Sequence, residues 1–187
     1  MRVRIYNYAA FYVGEPFNPS SLGAHATRDF CYYSTLRMWK GADASFPFYD
    51  SHATTYNVRD SSDWETTLKP RLRERLRASK NIVLILSSTT ANSRALREEI
   101  DYGINNQELP VIVVYPEYNS VESLITNGSL KSSVKNLWDR LPIFRDSMQD
   151  VPTLHVPMTK AAITRALADT DLMQATKCQP SCYHYKS

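Results

Sequence analysis

NIVLILSSTTANSRALREEIDYGINNQELPVIVVYP, residues 81–116, is the stretch of this sequence that decides the fold. It opens with an almost continuous apolar run at 81–88 and closes with a second one at 109–116. Strands that are buried on both faces of a parallel sheet have this composition, because neither side of the strand faces water. The residues between the two runs repeat apolar side chains at helical spacing. The stretch therefore predicts a strand, a helix and a second parallel strand.

The same alternation extends in both directions from this stretch. Apolar and β-branched runs predict three more strands, at 3–13, 45–50 and 151–157. Helical patterns occupy 28–40, 60–80, 119–141 and 158–176, the third interrupted by Asn127 and Gly128. The first strand can end before Phe11, and Pro47 places the second near an edge of the sheet. We therefore expect an α/β, flavodoxin-like parallel sheet of about five strands with helices on both faces.

The second predicted helix carries its own start signal and a breaker. Ser62 followed by Glu65 has the spacing of a capping box, which satisfies free N–H groups at a helix start. Pro70 lacks a backbone donor, so we expect a kink or a late helical start there. The buried side of the helix is marked by an apolar residue at every fourth position, namely Trp64, Leu68, Leu72 and Leu76.

Length and composition indicate one soluble domain, with bounds of 1–176 and a C-terminal tail at 177–187. Of the 187 residues, 43% are hydrophobic and 22% charged, and the net charge is only +3. This small excess argues against nucleic-acid and membrane partners, which usually call for a larger basic surface. The N-terminus lacks the pattern of a signal peptide. Three cysteines cannot all pair, which favours a reducing cytoplasm.

The tail contains the pattern C-x3-C-x-H, formed by Cys178, Cys182 and His184. A fourth ligand and the usual zinc spacing are missing, so a frayed or loosely docked tail is favoured over a metal site. We expect neither a metal nor a bound cofactor. The chain also lacks GxGxxG and a P-loop, which argues against a Rossmann dehydrogenase or a P-loop NTPase.

Two adjacent glutamates, Glu98 and Glu99, lie on the helix between the central strands. Each helical residue turns about 100°, so relative to Leu96 they lie at roughly 200° and 300°. On the same scale, the apolar stripe of this helix is centred at roughly 30°. Glu98 is therefore predicted to point into solvent beside Arg94, and Glu99 to lie at the border of the buried face. A border carboxylate is partly desolvated and held in one direction, which makes Glu99 the better candidate for a site.

Several motifs in order resemble the TIR-like domains of bacterial defence proteins, the group that includes ThsB of the Thoeris anti-phage systems. They are FYD-x-H at 48–52, RDSS at 59–62, the run LRERLRASK at 72–80 and R-x-E-I at 97–100. Asp29, Tyr32, Tyr33 and Trp39 match the first helix of that group. The similarity covers about residues 3–116. The sequence departs from the pattern at Glu98, where some relatives carry an aromatic residue, and in a longer insertion at 14–27.

The resemblance implies an enzyme that cleaves NAD⁺ at the nicotinamide–ribose bond, with Glu99 as the catalytic carboxylate. NAD⁺ is then the substrate, and a cyclic or modified ADP-ribose would act as the signal that activates a partner effector. Self-association through TIR-like surfaces is implied as well. In open α/β sheets the ligand crevice lies beyond the carboxyl ends of the strands. Residues near those ends are therefore weaker candidates for substrate binding, namely Phe11, Tyr12, Asp50, His52 and Ser87.

Two other functions remain as alternatives. A non-catalytic TIR-like interaction or scaffold module would need only the assembly surfaces, and Glu98 in place of the aromatic residue favours it. Nucleic-acid binding would use basic residues of the second helix, but these are interleaved with leucines and Glu74, which is typical of a solvated face. The retained Glu99 favours catalysis over both alternatives.

Overall fold

The structure, a computed structural model, describes residues 3–12, 28–53 and 63–186. Its strands in chain order are β1 (Tyr6–Ala10), β2 (Ser79–Ile85), β3 (Val111–Tyr115), β4 (Ile125–Thr126), β5 (Ser129–Leu130), β6 (Pro152–Pro157) and β7 (Ser181–His184). Its α-helices are α1 (Arg28–Ala42), α2 (Lys69–Arg77), α3 (Arg94–Asp101), α4 (Val121–Leu124), α5 (Ser132–Trp138), α6 (Pro142–Ser147) and α7 (Lys160–Ala168). Strands and helices alternate along most of the chain, as the sequence predicts.

Five parallel strands form the central sheet in the order β1-β2-β3-β6-β7. Successive side chains of a strand point to opposite faces, and both faces are covered by helices. One face packs against residues of α2, α3, α5 and α6. The other packs against α1 and α7. This is the predicted flavodoxin-like α/β fold, and no helix among the described residues is both long and apolar enough to cross a membrane.

The segment at 45–50 differs from its prediction as a strand. Only Asp50 bridges to the sheet, in parallel with Asn7 of β1. Asn7 donates to the carbonyl of Tyr49 at 2.7 Å and accepts from the amide of Ser51 at 3.2 Å. Upstream, Phe46 and Phe48 are buried in the core. Pro47 has no N–H for a ladder, which explains why the segment lies beside β1 with a single bridge.

The start of the second helix also differs in detail. A π-helical turn at Trp64–Leu68 precedes α2, and Pro70 occupies the first turn of α2, as the predicted late start requires. The cap is Asp63, whose carboxylate accepts from the amide of Thr66 at 2.8 Å. Other predicted features lie outside the described residues, namely Ser62 of the capping box, the RDSS motif and the insertion at 14–27.

The C-terminal tail is part of the sheet. Ser181–His184 pair in parallel with β6, so the expectation of a frayed or loosely docked tail is wrong for these residues. The chain reaches them through further contacts: Gln174 donates to the carbonyl of Lys80 at 2.8 Å, and Lys177 pairs with Glu108 at 2.9 Å. The preceding helix α7 ends at Ala168, earlier than predicted, and a short 3-10 turn follows it.

Asn127 and Gly128 interrupt the helical pattern at 119–141, as predicted. They form the two-residue turn between β4 and β5, with φ values of 51° and 71°. Positive φ at both central positions is what a tight hairpin of this kind requires, and glycine adopts it without steric cost.

Candidate functional site

Glu99 lies in the second turn of α3, the helix that follows β2. The helix begins at a cap formed by Ser93, whose hydroxyl accepts from the amide of Leu96 at 3.2 Å. Leu96 and Ile100 are buried against the sheet. This arrangement leaves Glu99 half-buried at the border of the packed face, as the helical rotation predicts. The hydroxyl of Tyr8 on β1 donates to Oε1 of Glu99 at 2.9 Å.

Helical rotation alone predicted that Glu98 points into solvent beside Arg94, and this prediction is wrong. Its carboxylate lies 2.6 Å from Nη2 of Arg73 and 3.6 Å from Nζ of Lys69, both on α2. Arg94 pairs with Glu65 instead. The prediction was wrong because α2 packs beside α3 and covers the face that would otherwise be open. Glu98 is thus neutralised by two cations.

Burial determines the ionisation of Glu99. Desolvation raises the pKa of its carboxyl to about 8, although the hydrogen bond from Tyr8 and the charge of Arg75 act in the opposite direction. The pKa of Tyr8 is raised well above its usual value, mainly by burial and also by Glu99, so its hydroxyl remains a donor. At neutral pH the unliganded protein therefore holds Glu99 mostly as a neutral acid.

His52 packs against the other side of Tyr8, with the ring centroids 4.8 Å apart. Its Nε2 lies 3.0 Å from the carbonyl oxygen of Ala9, and its Nδ1 lies 3.1 Å from Nη1 of Arg75. A guanidinium can only donate, so Nδ1 accepts and Nε2 carries the proton that goes to Ala9. Burial and the charge of Arg75 lower the pKa of His52 to about 4. The imidazole is therefore neutral with both nitrogens engaged.

Tyr33 of α1 joins three of the predicted site residues. Phe11 stacks on its ring at a centroid distance of 4.6 Å. Its hydroxyl donates to Oδ2 of Asp50 at 2.7 Å, and the amide of His52 donates to Oδ1 of the same carboxylate at 2.9 Å. Burial and the carboxylate of Asp50 raise the pKa of Tyr33, which keeps it protonated. One face of Phe11 is consequently already occupied by an aromatic ring.

Ser87 and Tyr12 meet around a buried carboxylate on α1. The hydroxyls of Ser87 and Thr90 donate to Asp29 at 2.6 Å and 2.8 Å, and the backbone amide of Tyr12 donates to it as well. Asp29 is fully buried, and burial raises the pKa of its carboxyl. These contacts bind the loop after β2 to the start of α1. Ser87 is therefore engaged in holding this loop.

The predicted residues form one connected region with three centres. Glu99 and His52 meet at Tyr8, Phe11 and Asp50 join His52 through Tyr33, and Tyr12 and Ser87 meet at Asp29. Sequence reasoning missed the roles of four side chains, namely Tyr8, Arg75, Tyr33 and Asp29. Asp29 and Tyr33 were noted only as family-like positions, while Tyr8 has the signature of a core residue in a strand. Among the described residues, no group of three or more His, Cys, Asp or Glu side chains is arranged to hold a metal.

Comparison with known families gives a match over the part of the chain that holds this site. The family described as Thoeris protein ThsB, TIR-like domain, matches residues 8–121, which is more than half of the chain. The matched region begins at Tyr8 and ends at the first residue of α4. It contains Glu99 and every other residue of the candidate site described above.

Proposed function

Because the chain belongs to the family of Thoeris ThsB TIR-like domains, we propose that it cleaves NAD⁺ at the nicotinamide–ribose bond. Glu99 is the catalytic carboxylate in this proposal. The observation that supports it is the contrast between the two neighbouring glutamates. Glu98 is paired with Arg73 and Lys69, whereas the ion pairs among the described residues do not include Glu99. Glu99 instead faces a neutral hydroxyl from a half-buried position, so its carboxyl can respond to a cationic ligand.

The chemistry needs a negative charge at one point of the reaction. When the bond between C1′ of the ribose and the pyridinium nitrogen breaks, its electron pair goes to nitrogen and nicotinamide leaves as a neutral molecule. The ribose carbon becomes oxocarbenium-like, and a carboxylate held nearby stabilises that charge. A hydroxyl group then attacks C1′ and loses its proton. Attack by water produces ADP-ribose, and attack by a hydroxyl of the same molecule produces a cyclic product.

The raised pKa of Glu99 is compatible with this role because the substrate itself is cationic. A positive charge near a carboxyl favours its ionised form. Binding of the pyridinium ring therefore shifts Glu99 from neutral acid toward carboxylate at the step where the carboxylate is needed. The reduced nicotinamide ring is neutral and has no such effect, so the site favours NAD⁺ over NADH.

The proposed product is a cyclic or modified ADP-ribose that activates a partner effector, as expected of a Thoeris signalling domain. NAD⁺ is the substrate in this proposal, and no cofactor is needed. We further propose that the protein acts in the cytoplasm and self-associates through TIR-like surfaces. A nucleic-acid or membrane partner forms no part of the proposal.

The test is NAD⁺ turnover in lysates of phage-challenged cells, with nucleotide products resolved by mass. Cells express the wild type, Glu99→Gln or Glu98→Gln, the last being a neighbouring carboxylate on the same helix. We expect an ADP-ribose-derived product from the wild type and Glu98→Gln, and none from Glu99→Gln. Full activity of Glu99→Gln would refute the assignment of Glu99 as the catalytic residue. If no variant makes product while the wild type still protects cells, the protein acts as a non-catalytic scaffold.

A further inference from the structure

Tyr8 lies in the middle of β1, and its hydroxyl is the polar end of an otherwise buried side chain. Only 1% of the residue is exposed. The ring belongs to the core on the α2 and α3 side of the sheet. A buried tyrosine hydroxyl usually finds a hydrogen-bond partner, and the partner here is Oε1 of Glu99 at 2.9 Å. The two residues are 91 positions apart in the chain, so only the fold brings them together.

The orientation of Tyr8 is fixed by a second layer of contacts. The ring of His52 packs on it, and His52 is itself held at both nitrogens, by the carbonyl of Ala9 and by Arg75 of α2. Ala9 is the next residue of β1, so the bond to its carbonyl keeps the imidazole directly beside Tyr8. With both nitrogens engaged, His52 has no ring nitrogen left for a substrate.

We propose that Tyr8 is a positioning residue that holds the carboxyl of Glu99 in one orientation, and that His52, anchored by Arg75, holds Tyr8. The catalytic part of this inference rests on the function proposed above. It also changes the role expected for His52, from a residue that binds substrate to one that acts through Tyr8. Tyr8, His52 and Arg75 need not touch NAD⁺ for this arrangement to position Glu99.

The surroundings of Glu99 show why the hydroxyl of Tyr8 matters for ionisation. α3 packs against β1, α2 and α6. From β1 the facing group is Tyr8, and from α2 it is Arg75, whose charge favours the carboxylate. Arg73 and Lys69 of α2 are paired with Glu98, and on α6 Arg145 is paired with Asp146 and with Asp139. After removal of the Tyr8 hydroxyl, the charge of Arg75 still lowers the pKa of Glu99 but the hydrogen bond no longer does.

The direct test is the titration of Glu99 followed by NMR in the full chain with ¹³C-labelled glutamate side chains. Glu99→Gln identifies the resonance. In Tyr8→Phe we expect the pKa of Glu99 to rise by roughly one unit, the equivalent of one hydrogen bond. Tyr118→Phe is the matched control, because the Tyr118 hydroxyl donates to Ser133 at 3.2 Å and not to Glu99. An unchanged titration of Glu99 in Tyr8→Phe would overturn the proposal.

A second replacement makes the test independent of how well Tyr8→Phe folds. Substitution of Tyr8 by 3-fluorotyrosine keeps the shape of the side chain and makes the hydroxyl a stronger donor. A stronger donor favours the carboxylate, so we expect the pKa of Glu99 to fall. Shifts of opposite sign in the two variants would support the proposal, whereas a purely structural role of Tyr8 predicts no such reversal. Absence of a shift with 3-fluorotyrosine would overturn it.

Kinetics separate the positioning role from the proposed function. For Tyr8→Phe we expect kcat for NAD⁺ to fall roughly 10- to 100-fold, as for a lost catalytic alignment, while KM changes less than about threefold. Tyr118→Phe should match the wild type in both parameters. If the titration of Glu99 shifts but the wild type never cleaves NAD⁺, the coupling of Tyr8 to Glu99 stands and the proposed function fails. A rise in KM alone would overturn the positioning role.

Discussion

The difference between Glu98 and Glu99 shows how the setting of a side chain decides what it can do. The two residues are adjacent on α3 and chemically identical. Glu98 faces the cations of α2, and two of them neutralise it. Glu99 faces β1, where its partner is the hydroxyl of Tyr8, and burial raises its pKa to about 8. A proton-binding site near neutrality is thus produced by one step of helical rotation.

Helical rotation predicted the position of Glu99 from the sequence, but it did not predict the partners of Glu99. The position of Glu99 relative to Leu96 and Ile100 follows from local geometry alone. Tyr8 is separated from Glu99 by most of the matched region, and Arg75 is one of several alternating basic residues on its helix. No local pattern distinguishes a tyrosine or an arginine that reaches the site from one that does not. The same limit explains the wrong orientation predicted for Glu98.

Glu99 makes the stability of the protein depend on pH. Its pKa is raised from 4.5 to about 8 on folding, so the folded state binds more protons than the unfolded state between these values. Its contribution to stability therefore falls as pH rises through this window. From pH 5 to pH 9 we expect the free energy of unfolding of Glu99→Gln to increase by roughly 1–3 kcal/mol relative to that of the wild type. This value is smaller than the full pKa shift implies because the side chain is partly open to solvent.

The measurement is a series of urea unfolding curves for both proteins from pH 5 to pH 9. Two histidines have lowered pKa values, about 4 for His52 and about 3 for His155, so each lowers the stability of the protein as pH falls below the pKa of the unfolded state. That loss is common to both proteins and cancels in the difference. Parallel stability curves for the two proteins would rule out the raised pKa of Glu99.

At the scale of elements, the sequence predicted best where burial is continuous. The runs at 81–88 and 109–116 became β2 and β3 because a strand covered on both faces must be apolar throughout. The segment at 45–50 is apolar for another reason, since Phe46 and Phe48 fill the core beside β1 without pairing as a strand. β7 has a mixed sequence and its partner β6 lies far from it in the chain, so no local signal marked it as a strand.

A π-helical turn at Tyr102–Asn106 continues α3, and its Gly103 closely approaches β2. A Cβ there would lie 2.3 Å from Cδ1 of Ile82, which is fully buried. We expect Gly103→Ala to destabilise the protein by about 1–3 kcal/mol, the usual cost of an overpacked core. Thermal unfolding followed by circular dichroism gives the value.

Gly41→Ala is the matched control for this substitution. Gly41 lies in α1, and a Cβ at that position would meet nothing within 4 Å. Alanine has the higher helix propensity, so we expect a gain of about 0.5–1 kcal/mol. Equal effects of the two substitutions would show that the contact with Ile82 does not limit the packing of α3 on β2.

On the scale of the whole molecule, the site depends on segments that are distant in the chain. β1 supplies Tyr8, the segment beside it supplies His52 and Asp50, α2 supplies Arg75 and α3 supplies Glu99. The parallel order of β1 and β2 brings these elements side by side. The sequence predicted the fold class from the alternation of elements. The order of strands and the contacts of the site needed the structure, because they are set by tertiary packing.

The C-terminal strand completes the sheet at the edge opposite β1. β7 pairs with β6. Tyr185 follows β7, and the guanidinium carbon of Arg165 lies 3.9 Å from the centroid of its ring. Deletion of 177–187 would expose the edge of β6 and remove these contacts, so we expect a lower melting temperature and concentration-dependent aggregation. Light scattering during thermal unfolding measures both effects. Deletion of 186–187 alone is the control, and equal behaviour of the two truncations would show that β7 is dispensable.

We propose that the carboxyl of Glu99 performs the cleavage of NAD⁺. The most direct test is kcat/KM for nicotinamide release as a function of pH, for the purified wild type, Glu98→Gln and Glu99→Gln. We predict that the first two share an acid limb that rises with pH and levels off above about 8, as an essential carboxylate with this pKa requires. Glu99→Gln should lose roughly 100-fold or more in rate, together with the limb. An active Glu99→Gln variant that retains the acid limb of the wild type would contradict catalysis by Glu99.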